Sequence, residues 1–136
     1  MKREDLGVVL LDVAPGAGEA FEASFLDKIG HPVEVCHGPV PGETCPLVAR
    51  LPCDKFEAAH GIVFELDLDL PEHRAIVDQY RILAGPELPI RVVVRPGQTE
   101  RYGEFLGQVQ AWDHEPTVAD LDGFAAEVEA VDRAGG

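Results

Sequence analysis

Two rhythms of apolar and polar positions alternate along the chain. Short, nearly unbroken apolar runs recur at Gly7–Asp12 (G-V-V-L-L-D), Pro32–Cys36, Ile62–Phe64, Pro89–Val94 (P-I-R-V-V-V) and Val109–Trp112. Runs of this length suit strands buried on two faces, as in a parallel sheet under helices. The stretches between them carry the three-to-four-residue spacing of amphipathic helices. Phe21, Phe25 and Ile29 form one stripe of a helix over Glu19–Ile29, with Glu22 and Lys28 outside it and Gly30 as its stop. Cys53–Ala59 reads as a short helix. Ile76, Tyr80 and Leu83 face inward in a helix over Glu72–Ala84, and Tyr102, Phe105 and Leu106 do so over Thr99–Gly107. Thr117 caps a last helix that runs to Arg133, with Val118, Leu121, Ala125, Val128 and Val131 near one face.

Five strands alternating with five helices predict parallel β-α units, right-handed crossovers and a three-layer α/β sandwich. The central stretch is Gly61–Pro71, G-I-V-F-E-L-D-L-D-L-P, and the strand within it is expected over Ile62–Asp67. Past its apolar start, Glu65, Asp67 and Asp69 alternate with Leu66, Leu68 and Leu70. A central strand that finishes in carboxylates delivers them to the carboxyl edge of the sheet, where ligands bind in open α/β folds. Asp12 ends another strand and belongs at the same edge. A solvated strand end with a helix cap is the plainer account of these acids.

Composition narrows the partners. The chain has 136 residues, 46% of them hydrophobic, which is enough for one domain with its own core, residues 1–136. Its 25 acidic and 11 basic side chains give a formal charge of −14. That excludes a nucleic-acid phosphate backbone and an anionic membrane surface as partners. No apolar run approaches the roughly 20 residues that span a bilayer. Met1-Lys2-Arg3-Glu4-Asp5 lacks a signal-peptide pattern, so a cytoplasmic location is expected.

The least regular stretch is a Cys/Pro-rich loop over residues 36–53, with Pro39, Pro41, Pro46 and Pro52. Cys36, His37, Cys45 and Cys53 are candidate metal ligands, because Cys₃His is a legitimate zinc set. Their spacing matches no paired C-x-x-C pattern, so reactive or buried thiols are the alternative. Positionally, the three cysteines are expected on the carboxyl side, with Cys36 able to approach at least one other. His31 and His60 read as turn residues, and His114 beside Glu115 can titrate near neutrality. No Ser-His-Asp or Cys-His-Asp set is placed by pattern, which leaves hydrolase chemistry unsupported.

Taken in order, V-V-L-L-D at 8–12, the Pro-Gly turn, Gly30–Val35, L-D-L-D-L-P at 66–71, P-I-R-V-V-V at 89–94 and Glu115-Pro116 ahead of a helix resemble a response-regulator receiver domain. The resemblance covers roughly residues 7–133. It implies a flavodoxin-like five-stranded parallel sheet in the order 2-1-3-4-5. It also implies a phosphoacceptor at Asp67, four residues before Pro71, and Mg²⁺ held through Asp12. Three family positions depart: Val13 stands where a second acid belongs, Val94 where a Ser or Thr belongs, and Glu115 where a Lys belongs. Asp12 and Asp67 could hold Mg²⁺ only weakly. Glu115 reverses the sign of the charge that would neutralise a phosphoryl group. The family also implies a cis bond before Pro116. The expectation is therefore a receiver-like signalling or interaction module that is not conventionally phosphorylated. Its partner is a protein, or a second copy of the chain, contacting the last two helices. The competing expectation is a small ligand-binding protein or enzyme using an acidic edge of Asp12, Asp67, Asp69 and Glu115, whose mutual repulsion raises their pKa values.

Overall fold

The computed structural model describes residues 7–14, 17–39, 45–84, 87–107 and 109–135, with the side chains of 17–19 and 131–135 left aside. The chain order is β1 (Val9–Asp12), α1 (Ala17–Lys28), β2 (Val33–Cys36), α2 (Asp54–Ala58), β3 (Gly61–Phe64), α3 (Pro71–Ala84), β4 (Ile90–Val93), α4 (Gln98–Leu106), β5 (Gln110–Trp112) and α5 (Val118–Gly135). The five strands form one parallel sheet in the order β2-β1-β3-β4-β5. Asp12 lies opposite Cys36 on one side and Phe64 on the other, so three strands end together.

Strand alternation divides the core into two layers. Leu10, Ile62, Phe64, Val92 and Val94 face α2, α3 and α4, packing with Ile76, Val77, Tyr80 and Leu106. Val9, Leu11, Val13 and Val63 face α1 and α5, packing with Leu26, Leu121, Phe124, Ala125 and Val128. β1 and β3 are buried along their whole length, which accounts for their continuous apolar runs. Gly61 marks where α5 presses closest: a Cβ there would lie 2.6 Å from Val128 Cγ2 and 3.0 Å from Phe124. Gly97, at φ 84°, supplies the left-handed turn that opens α4.

Five expectations change. β3 stops at Phe64 rather than at Asp67, because the chain turns over Asp67–Leu70, where the Leu70 amide donates to the Asp67 carbonyl at 3.0 Å, before Pro71 opens α3. α1 is rotated from its expected stripe, so Glu22 is buried at 1% exposure while Phe21 is 47% exposed. The buried face of α3 carries Ile76, Val77 and Tyr80, and Leu83 is exposed. Among the described residues no peptide bond is cis, so the bond before Pro116 is trans. His31, expected in a turn, is fully buried. Its Nδ1 lies 3.0 Å from the Gly7 carbonyl and its Nε2 lies 2.9 Å from Glu129 Oε2, tying β1 to α5.

Candidate functional site at the carboxyl edge

Because Asp12 continues the parity of Leu10, its side chain enters the α2–α4 layer at 1% exposure. Tyr80 reaches it from α3, donating its hydroxyl to Asp12 Oδ2 at 2.5 Å. Cys36, the register partner of Asp12 on β2, also hydrogen-bonds the carboxylate. Lys55, brought in by α2, donates to the Val35 carbonyl at 2.5 Å and adds positive charge nearby. Asp12 Oδ1 has no partner. Burial pushes the Asp12 pKa up to about 7, against the lowering pull of Tyr80, Cys36 and Lys55. Burial and the same carboxylate push the Tyr80 hydroxyl far above its ordinary value. The Cys36 thiol is also raised, by burial first and then by Asp12, so it is not an activated thiolate.

A second group of acids lies in the other layer. Glu65 follows β3, and its amide donates to the Asp12 carbonyl at 2.6 Å. It carries the opposite parity to Phe64, which turns it toward α1. There it meets Glu22 in a carboxyl–carboxylate hydrogen bond, with the charge of Glu115 close by. Glu22 Oε1 and Glu65 Oε2 have no further partners. Burial, then the Glu65 bond and charge, then Glu115, push Glu22 up to about 9. Glu65 is raised by burial and by Glu115 but held down by the proton that Glu22 donates. Glu22 therefore keeps its proton at neutral pH, held between Glu65 and a third acid.

The remaining edge acids turn toward α4. Asp67 Oδ1 accepts from the Asp69 amide at 2.9 Å and from Gln98 Nε2 at 3.1 Å, and Arg95 pairs with Oδ2 at 3.3 Å. The Asp67 amide donates to His73 Nδ1 at 3.1 Å. Asp69 receives Arg101 at 2.9 Å and the Tyr102 hydroxyl at 2.8 Å, which hold its carboxyl below the ordinary range. Gln98, fully buried, also accepts the Arg95 amide and so fixes the end of β4 to this turn. Val94 is buried in the core, as its lack of a hydroxyl allows.

The predicted edge acids thus separate. Asp12 keeps company with Cys36, Asp67 with Asp69, and Glu115 with Glu22 and Glu65. Of the cysteines, Cys45 lies near enough to Cys36 to help raise its thiol, and Cys53 stands at the N-cap position of α2, where its side chain makes no capping hydrogen bond. His37 is exposed. Among the described residues no three His, Cys, Asp or Glu side chains are arranged to hold a metal ion, so Cys36, His37, Cys45 and Cys53 do not form one ligand set. Sequence reasoning passed over Glu22, Tyr80, Lys55 and Gln98 as site residues. Glu65 alone had a signal, as the first acid after the buried run with parity opposite to Asp12.

The chain has the receiver-domain fold. The receiver domain of nitrogen regulatory protein C, in its apo form in solution, matches with a TM-score of 0.63 and 16% identity, covering 100% of each chain. The phosphorylated cyanobacterial phytochrome response regulator RcpA matches with a TM-score of 0.56 and 13% identity, covering 93% of this chain and 91% of that one. No protein-family model and no curated protein matches the sequence. Among the described residues no helix is long and apolar enough to cross a membrane.

Proposed function

We propose that this chain is a receiver-like signalling module that works through a protein partner in the cytoplasm and does not use an aspartyl-phosphate cycle. The observation that carries this reading is the set of carboxyl groups around the end of β3. Glu65, the first side chain after the strand, is half-buried against protonated Glu22 with Glu115 beside it. A phosphoryl group arriving there would meet carboxylates where its transfer needs positive charge. Asp67, the candidate acceptor, has its oxygens taken by Gln98, Arg95 and the Asp69 amide. Attack on a phosphoryl donor would break those contacts. Incubation with acetyl phosphate and Mg²⁺, followed by intact-mass measurement, tests the reading. No mass gain is expected. Stoichiometric phosphorylation that Asp67→Ala abolishes would overturn it and restore a working receiver.

A ligand-binding reading is favoured by one observation, the unpartnered buried Oδ1 of Asp12. The groove described below has none of Asp12, Asp67, Asp69 or Glu115 in its lining, so it does not supply that reading with a pocket.

A further inference from the structure

Of the large apolar side chains that the described residues expose, three gather at one place. Leu51 is 59% exposed, Ile82 66% and Leu83 52%. They line a groove of about 580 Å³ between the segment ahead of α2 and the outer face of α3. Its wall includes Leu47, which is buried, and Phe56, which stacks on Tyr80 at 5.5 Å. On α5 Val118 is the one large apolar side chain exposed among the described residues, and α4 exposes none. Among the described residues the exposed apolar side chains therefore gather on α3 and the segment ahead of α2 rather than on the last two helices.

Charge selects what covers it. The groove lining carries one cation, Arg50, and one acid, Glu57. Asp54 adjoins the lining residue Cys53, Lys55 adjoins Phe56 but turns inward to the Val35 carbonyl, and Asp78 and Arg81 pair with each other at 3.5 Å while Arg81 lies over the Phe105 ring at 5.1 Å. The chain as a whole carries a formal charge of −14, which repels a second copy and an anionic membrane alike. An apolar stripe flanked by lysine or arginine would gain from burial and from attraction.

We propose that the groove between the Leu47–Glu57 segment and α3 is the docking site for a basic amphipathic helix of a partner protein. The proposal rests on the partner-module reading above and deepens it by naming the surface and the partner's chemistry.

The test uses the ¹⁵N-labelled full chain and two synthetic helical peptides with the same leucine stripe, one flanked by lysines and the other by glutamates. The variant Ile82→Glu/Leu83→Glu changes two exposed positions, and circular dichroism checks that its fold is kept. The lysine peptide should shift amides of Leu47–Glu57 and Gln79–Leu83. The glutamate peptide, and the lysine peptide on the variant, should each bind at least about tenfold more weakly. The variant is more acidic, so tighter or equal binding to it would reveal surface electrostatics alone and overturn the proposal. Shifts centred on α4 and α5, or no binding of the lysine peptide, would also overturn it. A dimer in sedimentation that the variant dissolves would make a second copy the occupant, with the same result. None of these readouts involves phosphate, so failure here leaves the acetyl phosphate result standing, and the reverse holds as well.

Discussion

Two buried carboxyl groups at one sheet edge have been brought to different states by their neighbours. Asp12 and Glu22 are each 1% exposed, and burial raises the pKa of each. In the α2–α4 layer, Asp12 is met by a hydroxyl, a thiol and the charge of Lys55, all of which favour its ionised form. In the α1–α5 layer, Glu22 is met by Glu65 and Glu115, which disfavour ionisation. The first settles at about 7 and the second at about 9. Burial alone therefore does not set the protonation state. The opposite parities of Asp12 and Glu65 at this edge do, because they send Asp12 toward donors and Glu65 toward another acid.

The largest effect should come from removing Tyr80, the residue that the Asp12 side depends on. Tyr80→Ala would lose a buried ring, its stack on Phe56 and the donor to Asp12 Oδ2. It should cost about 3–5 kcal/mol in urea unfolding. Tyr80→Phe keeps the ring and leaves a buried oxygen without its donor, and should cost about 1–3 kcal/mol. Equal costs for the two variants would mean that the hydroxyl carries everything and the packing nothing.

Per pH unit the pH dependence should be smaller than that loss, and it separates the two layers. A carboxyl raised in the folded state binds its proton more tightly there than in the unfolded chain. Its stabilisation is complete below the unfolded value and is lost as pH climbs through the folded one. For Glu22 that window runs from 4.5 to about 9, and for Asp12 from 3.8 to about 7. Within each window stability should fall by up to about 1.4 kcal/mol per pH unit for each such group. Glu22→Gln should flatten the fall across its whole window and leave the variant more stable than the parent at the alkaline end. Asp12→Asn should flatten only the lower part. Urea midpoints measured across pH would show this, and identical profiles for the two variants would remove the distinction between the layers.

The fold was legible because it rests on patterns that survive in one dimension. β1 is apolar as far as Asp12 and β3 throughout, as doubly covered strands require, and strand order followed from β-α alternation plus the receiver resemblance. The site was less legible because hydropathy reads every acid as outward. Glu22 breaks that rule, since the α1 stripe is set by what Glu65 and Leu26 leave open and not by Phe21 alone. Asp67 was expected to share an edge with Asp12. It lies near that edge but keeps other partners, because β3 ends at Phe64 and the chain then turns to α4, a change that the alternating Leu and Asp residues conceal. Gln98 has no signature at all, although its amide joins β4 to Asp67.

Asp69 gives the smallest expected effect and tests whether burial is what the two raised acids share. It lies near the same edge and contacts Arg101 and the Tyr102 hydroxyl, yet its side chain is 47% exposed and its pKa is lowered. The Tyr102 bond is the main cause and the Arg101 bond adds to it, so water screens most of what the ion pair could contribute. A lowered carboxyl stabilises above its unfolded value and loses that stabilisation as pH falls through the folded one, opposite in sign to Glu22. Asp69→Asn should therefore move the urea midpoint at neutral pH less than any buried substitution above. The small shift should shrink further in high salt, and the alkaline fall assigned to Glu22 should be untouched. A change in that alkaline slope would mean that Asp69 is coupled to the buried pair and that the edge acids act as one group after all.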